Sequence, residues 1–70
     1  MDTERDPRVH PKPGDVISRD GIRVEVDDIE NDQLYFCRVK EATGDWQLCR
    51  FALSKWAEQA ANAVVEKKAD

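Results

Sequence analysis

The chain has 70 residues, with 15 acidic and 11 basic side chains and a formal net charge of −4 at pH 7, so it has room for one small domain. No apolar run reaches the roughly 20 residues that span a bilayer as a helix, and the first 15 residues lack the apolar core of a secretory signal. We therefore expect a cytoplasmic protein. The acidic balance argues against binding nucleic acid through bulk charge.

The first 13 residues are rich in proline and charge, with Val9 as the only sizeable apolar side chain after Met1. Proline removes backbone donors and favours extended conformations in the residue before it. This composition predicts a mobile tail over residues 1–12, followed by a single domain over residues 13–70. The alternative is that Val9 and His10 add an edge strand.

Two hairpins are predicted next. Residues 15–19 form a short apolar-centred strand that ends in Asp20-Gly21, a strong signal for a two-residue hairpin turn. Apolar and charged residues then alternate from Ile22 to Asp27, which is typical of a half-buried strand. The next apolar residue is Ile29, one position late, so we predict a β-bulge there. Asn31-Asp32 supplies a second turn.

The second half of the chain predicts two further strands and a helix. Residues 33–40 and 46–52 are rich in aromatic and branched side chains, and residues 41–45 form the loop between them. From Leu53 to Val64 the apolar residues return at helical spacing, which predicts a helix over about 55–67. We expect Trp56 to anchor this helix to the sheet, and Trp46 to be partly exposed.

The fold class that these elements predict is α+β and β-dominated. Three consecutive hairpins give a four-stranded antiparallel meander, and the bulge favours strong curvature, so the expected shape is SH3-like with the C-terminal helix as its cover. A flatter sheet with the helix lying across one face is the alternative.

A five-residue loop at 41–45 would place Lys40 opposite Trp46 and Cys37 opposite Cys49, and opposed residues share a face. One face would then be uncharged and suited to the core: Tyr35, Cys37, Val39, Gln47, Cys49 and Phe51. The other would carry Leu34 and the six candidate binding residues, namely Phe36, Arg38, Lys40, Trp46, Leu48 and Arg50. A four-residue loop would shift every pairing by one.

A sheet face with aromatic and cationic side chains suits an acidic or apolar partner protein. We therefore expect a small non-enzymatic binding module that docks a partner protein. Two alternatives stay open: a single-stranded nucleic-acid binder that uses the same aromatic and basic residues, and a homodimeric assembly subunit. The aromatic residues and the stems of the basic ones could instead simply cover the core.

Catalytic, metal and cofactor sites find no support in the sequence. The one histidine, His10, lies in the proline-rich segment, and no nucleophile has a base near it. Two cysteines and one histidine do not make a zinc site, and Cys37 and Cys49 are expected to be reduced. The acidic run 27–32 lacks the glycine and glutamate of a calcium loop, so we expect a solvated turn.

The order of motifs resembles short SH3-like proteins of phages and other bacterial mobile elements. The resemblance covers about residues 13–56 and is carried by PKPGDVI, DGIRVEV, QLYF and WQLCRFALSKW, in which Phe51 and Trp56 match a closing pair of aromatic positions. It implies an SH3-like fold and a bacterial cytoplasmic setting. It implies no activity.

Overall fold

The computed structural model describes residues 6–69, which form one antiparallel sheet of five strands with a short helical segment before the last strand. The strands lie in the order β4-β3-β2-β1-β5. In chain order the elements are β1 (Val16–Arg19), β2 (Ile22–Glu30), β3 (Gln33–Lys40), β4 (Trp46–Ala52), a 3₁₀ turn (Leu53–Lys55), α1 (Trp56–Ala60) and β5 (Val64–Lys67).

Both predicted two-residue turns are confirmed. Asp20 and Gly21 have φ values of 53° and 77°, and Asn31 and Asp32 have φ values of 51° and 63°. Positive φ at both central residues matches the right-handed twist of the flanking strands, and Asp, Asn and Gly adopt it at the lowest cost. These turns therefore fix the registers of β1 with β2 and of β2 with β3.

The predicted bulge in β2 is confirmed as well. Val26 lies opposite Phe36, but the next pair joins Asp28 to Tyr35, so Asp27 is the extra residue. The bulge returns Ile29 to the face that carries Val26, where it lies opposite Leu34. A β-bulge also increases local bend and twist.

The C-terminal segment differs from the predicted helix over 55–67. Helix α1 ends at Ala60, and Val64–Lys67 forms a fifth strand antiparallel to β1, so the four-stranded prediction is also wrong. Two consecutive β-branched residues, Val64 and Val65, favour a strand, and β1 offers them an unpaired edge. Pairing there places Val65 opposite Ile17 and beside the core.

One face of the sheet, which we call the inner face, carries the core. Among residues 6–69 the buried core cluster has six members, which lie on this face or in the segment that covers it: Ile17, Val26, Leu34, Trp56, Ala60 and Ala63. Trp56 is 4% exposed and its ring centroid lies 6.0 Å from that of Phe36. The prediction that Trp56 anchors the helix to the sheet is thus confirmed. The small residues Ala60 and Ala63 let the covering segment approach closely.

Residues 6–12, part of the segment 1–12 for which the sequence predicts a mobile tail, make specific contacts with the domain. Pro7 is fully buried, and its carbonyl accepts a 2.8 Å hydrogen bond from Trp56 Nε1. Arg8 bonds the Ala63 carbonyl. The side chain and the backbone N–H of Arg8 also donate to the Asp6 carboxylate, and these bonds hold the pKa of Asp6 below its ordinary value. Residues 6–10 form turns rather than the alternative strand, while residues 1–5 lie outside the described residues.

The buried carboxylate of Asp15 joins the turn before β1 to the C-terminal end of the described chain. Its Oδ2 accepts the backbone N–H of Lys12 and its Oδ1 accepts that of Ala69, each at 2.7 Å. Gly14, at φ +102°, lies beside it, and a β-carbon there would come within 3.1 Å of the Ala69 side chain. A buried charge is tolerated only when it is well hydrogen-bonded, and here the bonds connect the turn at residues 12–15 to the C-terminal end of the described chain.

Replacing Trp56 by Ala should lower the free energy of unfolding by about 3 to 5 kcal/mol, the usual range for a buried aromatic side chain. Trp56→Phe should lower it by about 1 to 3 kcal/mol, because the Pro7 carbonyl loses its donor. Urea denaturation followed by circular dichroism measures both, with the exposed Trp46→Ala as the control. Equal losses for Trp56→Ala and Trp46→Ala would contradict this assignment.

Asp15→Ala should lower the free energy of unfolding by about 2 to 4 kcal/mol, because it leaves two partly buried N–H groups without their acceptor. Asp15→Asn should cost less, since its amide oxygen can still accept one of the two bonds. The matched control is Asp27→Ala, which removes an exposed carboxylate from the bulge. If Asp15→Ala unfolded at the same urea concentration as this control, the carboxylate would not hold the C-terminal end to the turn before β1.

Candidate protein-docking surface

The loop between β3 and β4 decides which side chains reach each face. The N–H of Lys40 donates to the carbonyl of Asp45 at 2.8 Å, and the Lys40 carbonyl accepts the N–H of Gly44 at 2.7 Å. The loop is therefore the four residues 41–44, closed by Gly44 at φ 79°, a conformation that glycine adopts without strain. Val39 consequently lies opposite Trp46, one position away from the five-residue prediction.

This register divides the six candidate binding residues between the two faces of the sheet, so the prediction of a single shared face is wrong. On the inner face lie Phe36, Arg38 and Lys40, in line with the fully buried Leu34. On the opposite, outer face lie Trp46, Leu48 and Arg50. The predicted core face is also wrong, because its members are divided in the same way.

The two cysteines are likewise placed on opposite faces. Cys37 lies opposite Leu48, and Cys49 lies opposite Phe36. Both thiols are free, as expected, but they are not the directly opposed pair that the five-residue loop predicts. A disulfide between them would need the side chains to point toward each other, which the alternation of the strands prevents.

The outer face of β3 and β4 carries an exposed apolar patch. Trp46 and Leu48 are each 67% exposed, which confirms the expectation of an exposed Trp46. Opposed pairs on this face join Val39 to Trp46 and Cys37 to Leu48. We call the six side chains of this surface the outer patch: Tyr35, Cys37, Val39, Trp46, Leu48 and Arg50.

The backbone of β4 presents a free hydrogen-bonding edge beside the outer patch. The bonds from Lys40 N–H to Asp45 and from Leu53 N–H to the Asp32 carbonyl bracket the β3–β4 ladder and fix its alternation. Gln47, Cys49 and Phe51 therefore point their backbone groups toward β3. The backbone groups of Trp46, Leu48 and Arg50 point away from the sheet, and no strand among residues 6–69 pairs with them.

The two edges of the sheet differ in how well they resist further pairing. Edge strand β5 has four residues, includes Glu66 and Lys67, and has an irregular register with β1. Edge strand β4 has seven residues, no proline, no bulge in its pairing and Arg50 as its only charge. Short, charged or bulged edges discourage strand addition, so β4 is the edge that remains open to it.

Away from the patch, several charged side chains of the outer face have polar partners. Arg23 pairs with Glu25 at 2.9 Å on the middle strand, and the Ser18 hydroxyl bonds the Glu66 carboxylate near the far edge. Arg50 has no carboxylate within 4.0 Å among the described residues. A cation without an ion pair thus flanks the exposed Trp46 and Leu48.

The inner-face half of the candidate set lines two recesses. A groove of about 450 Å³ opens between the β1–β2 hairpin and α1, with Phe36 on its floor and Arg38 on its wall. A smaller recess of about 130 Å³ brings Arg38 and Lys40 next to Trp46, Gln47 and Asp45. Most apolar side chains of the larger groove belong to the core or pack against it, whereas the outer patch packs against no other layer of the described chain.

Residues 6–69 contain no group of three or more acidic, histidine or cysteine side chains placed to hold a metal ion. None of the helices described for this chain has the length and hydropathy to cross a membrane. Comparison with protein-family models, curated proteins and solved structures finds no match to the chain.

Two features of the surface were missed by sequence reasoning. The sequence predicts β4 as the last strand of a meander, but not the fifth strand, whose addition to β1 leaves the β4 edge free. The length of the β3–β4 loop is the second feature. Its signal in the sequence is Gly44, which can adopt positive φ and so close a four-residue loop between Lys40 and Asp45. The loop length in turn determines on which face of the sheet each residue of β4 lies.

Proposed function

We propose that the protein is a small non-enzymatic interaction module that docks a partner protein on β4, using its free edge and the outer patch. The observation that carries the proposal is the coincidence of two exposed apolar side chains with an unprotected strand edge. A partner strand that adds to this edge would gain main-chain hydrogen bonds, and its side chains would meet Trp46, Leu48 and Arg50.

The side-chain chemistry of the outer patch supports a protein as the occupant. Tryptophan and arginine are enriched among the residues that contribute most to protein–protein binding. Among residues 6–69, Trp46 has no ring contact and Arg50 has no ion pair. Large exposed apolar groups that stand next to each other are unusual on a small monomer. Burying Trp46 and Leu48 therefore supplies the main driving force.

Single-stranded nucleic acid is the second candidate occupant, favoured by the recess that groups Arg38, Lys40 and Trp46. Bases stack on exposed aromatic rings while cations hold the phosphates. Asp45 shares that recess, and the chain carries a net charge of −4, so both local and overall charge favour protein over nucleic acid.

An SH3-like identity and an origin in phages or mobile elements belong to this proposal too. They are supported by the order of the turns, the bulged antiparallel meander β1–β4 and the aromatic pair Phe51 and Trp56. Among residues 6–69 the sheet is open, with β4 and β5 as separate edges. A bacterial cytoplasmic setting follows from the same resemblance.

Site-specific photo-cross-linking in the native host tests the proposed function. A benzophenone amino acid placed at Leu48 should form adducts with protein, because this position lies at the centre of the docking surface. The matched control is the same group at Val64, which is 62% exposed but lies on the other edge strand. Adding Trp46→Ala should reduce the Leu48 adducts about tenfold or more, as expected for loss of a dominant interface residue.

Three outcomes would contradict the proposal. Adducts at Leu48 and Val64 in equal yield would show unspecific contact. Adducts that nuclease treatment removes would assign the surface to nucleic acid. The absence of adducts at Leu48 would leave the surface without an occupant.

A further inference from the structure

We propose that the occupant of the β4 edge is a second copy of this chain, paired antiparallel through a two-fold axis at Leu48. The proposal rests on the proposed function, since it assigns a partner to the same surface. It joins two five-stranded sheets into one continuous sheet, with both inner faces on the same side. In the dimer the exposed tryptophan and leucine of each copy would gain cross-strand neighbours from the other copy.

The backbone alternation of β4 permits this axis. In an antiparallel pair, residues whose N–H and C=O groups point at the neighbouring strand exchange two hydrogen bonds with the residue opposite. Trp46, Leu48 and Arg50 are the residues of β4 whose groups point outward. With Leu48 opposite Leu48 of the second copy, Trp46 of each copy lies opposite Arg50 of the other. All of these pairs are ones that exchange backbone hydrogen bonds.

The side chains match in this register. Trp46, Leu48 and Arg50 share the outer face, so each tryptophan ring lies beside an arginine of the other copy, and the leucines meet at the axis. Arginine is attracted to the face of an indole ring, and neither group has such a partner within the described chain. On the inner face Gln47 lies opposite Cys49, so no opposed pair from 45 to 51 joins two like charges.

Neighbouring registers match less well. An axis at Arg50 would set the two arginines against each other, and an axis at Cys49 would set Leu48 against Arg50 and Trp46 against Ala52. An axis at Gln47 would overlap only residues 46–48 of the two strands and leave Arg50 opposite Gly44. Charge and apolar complementarity therefore favour the two-fold axis at Leu48 over these alternatives.

The expected dimer is weak and exchanges with monomer. An edge-to-edge contact between two seven-residue strands lies at the small end of protein interfaces, below the area of most permanent dimers. Its population should consequently rise with protein concentration, which sedimentation velocity measures directly on the purified chain.

A charge-complementation experiment tests the axis. Leu48→Lys and Leu48→Glu each place two like charges opposite one another, so each variant alone should dimerise at least about tenfold more weakly than the unmodified chain. An equimolar mixture of the two should recover association as a heterodimer. The control pair Val64→Lys and Val64→Glu should change neither the dimer of each variant nor that of their mixture.

Leu48 is largely exposed, so the variants should fold, and circular dichroism verifies this before sedimentation. A chain that stays monomeric at every concentration would overturn the inference. The inference would also be overturned if the Val64 variants weakened the dimer and their mixture restored it, or if the Leu48 mixture did not restore association. Stronger association of Leu48→Glu alone would overturn it as well, because it would indicate an axis at Cys49, which sets Leu48 against Arg50. A monomeric chain whose Leu48 cross-links reach another protein would refute the dimer and retain the proposed function.

Discussion

The hydrogen bond from the Lys40 N–H to the Asp45 carbonyl is the constraint on which the rest of the structure depends. It closes a four-residue loop and so determines the register of β4 on β3. Because side chains alternate along a strand, a shift of one residue would move every side chain of β4 to the other face. In the observed register Phe51 reaches the core beside Leu34, and Trp46 and Leu48 remain outside.

A chain of this size buries a thin core, and polar contacts at the two ends of the described chain complete it. Trp56 combines apolar contact with a hydrogen bond to the Pro7 carbonyl, which holds the N-terminal segment on the domain. Asp15 does the same for the C-terminal end by bonding the N–H of Ala69. Both contacts connect residues about 50 positions apart in the chain, so they contribute to the tertiary fold rather than to any single element.

Local patterns in the sequence predict much of this fold. The turns at Asp20-Gly21 and Asn31-Asp32 and the bulge at Asp27 each follow from neighbouring residues, because φ preferences and alternation act over short distances. The C-terminal helix was predicted too long because the residues from 61 onward suit a helix by spacing. A strand forms instead because β1 offers an edge to Val64 and Val65, which is a tertiary effect.

The candidate site could be predicted only in part for the same reason. Sequence identified the aromatic and basic residues near the third hairpin and separated exposed Trp46 from buried Trp56. It could not show whether these residues share one face or are divided between two. That depends on the length of the β3–β4 loop, and the sequence is compatible with both four and five residues. The predicted meander ends at β4, but the sequence could not show that a fifth strand would add to β1 and leave the β4 edge free.

Amide hydrogen exchange of β4, measured by NMR on dilute protein, tests the central claim most directly. The observed register predicts slow exchange for Gln47, Cys49 and Phe51, whose N–H groups point to β3, and fast exchange for Trp46, Leu48 and Arg50 at the free edge. The reverse pattern, with Trp46, Leu48 and Arg50 protected and their neighbours exchanging freely, would contradict the four-residue loop and the docking surface that depends on it.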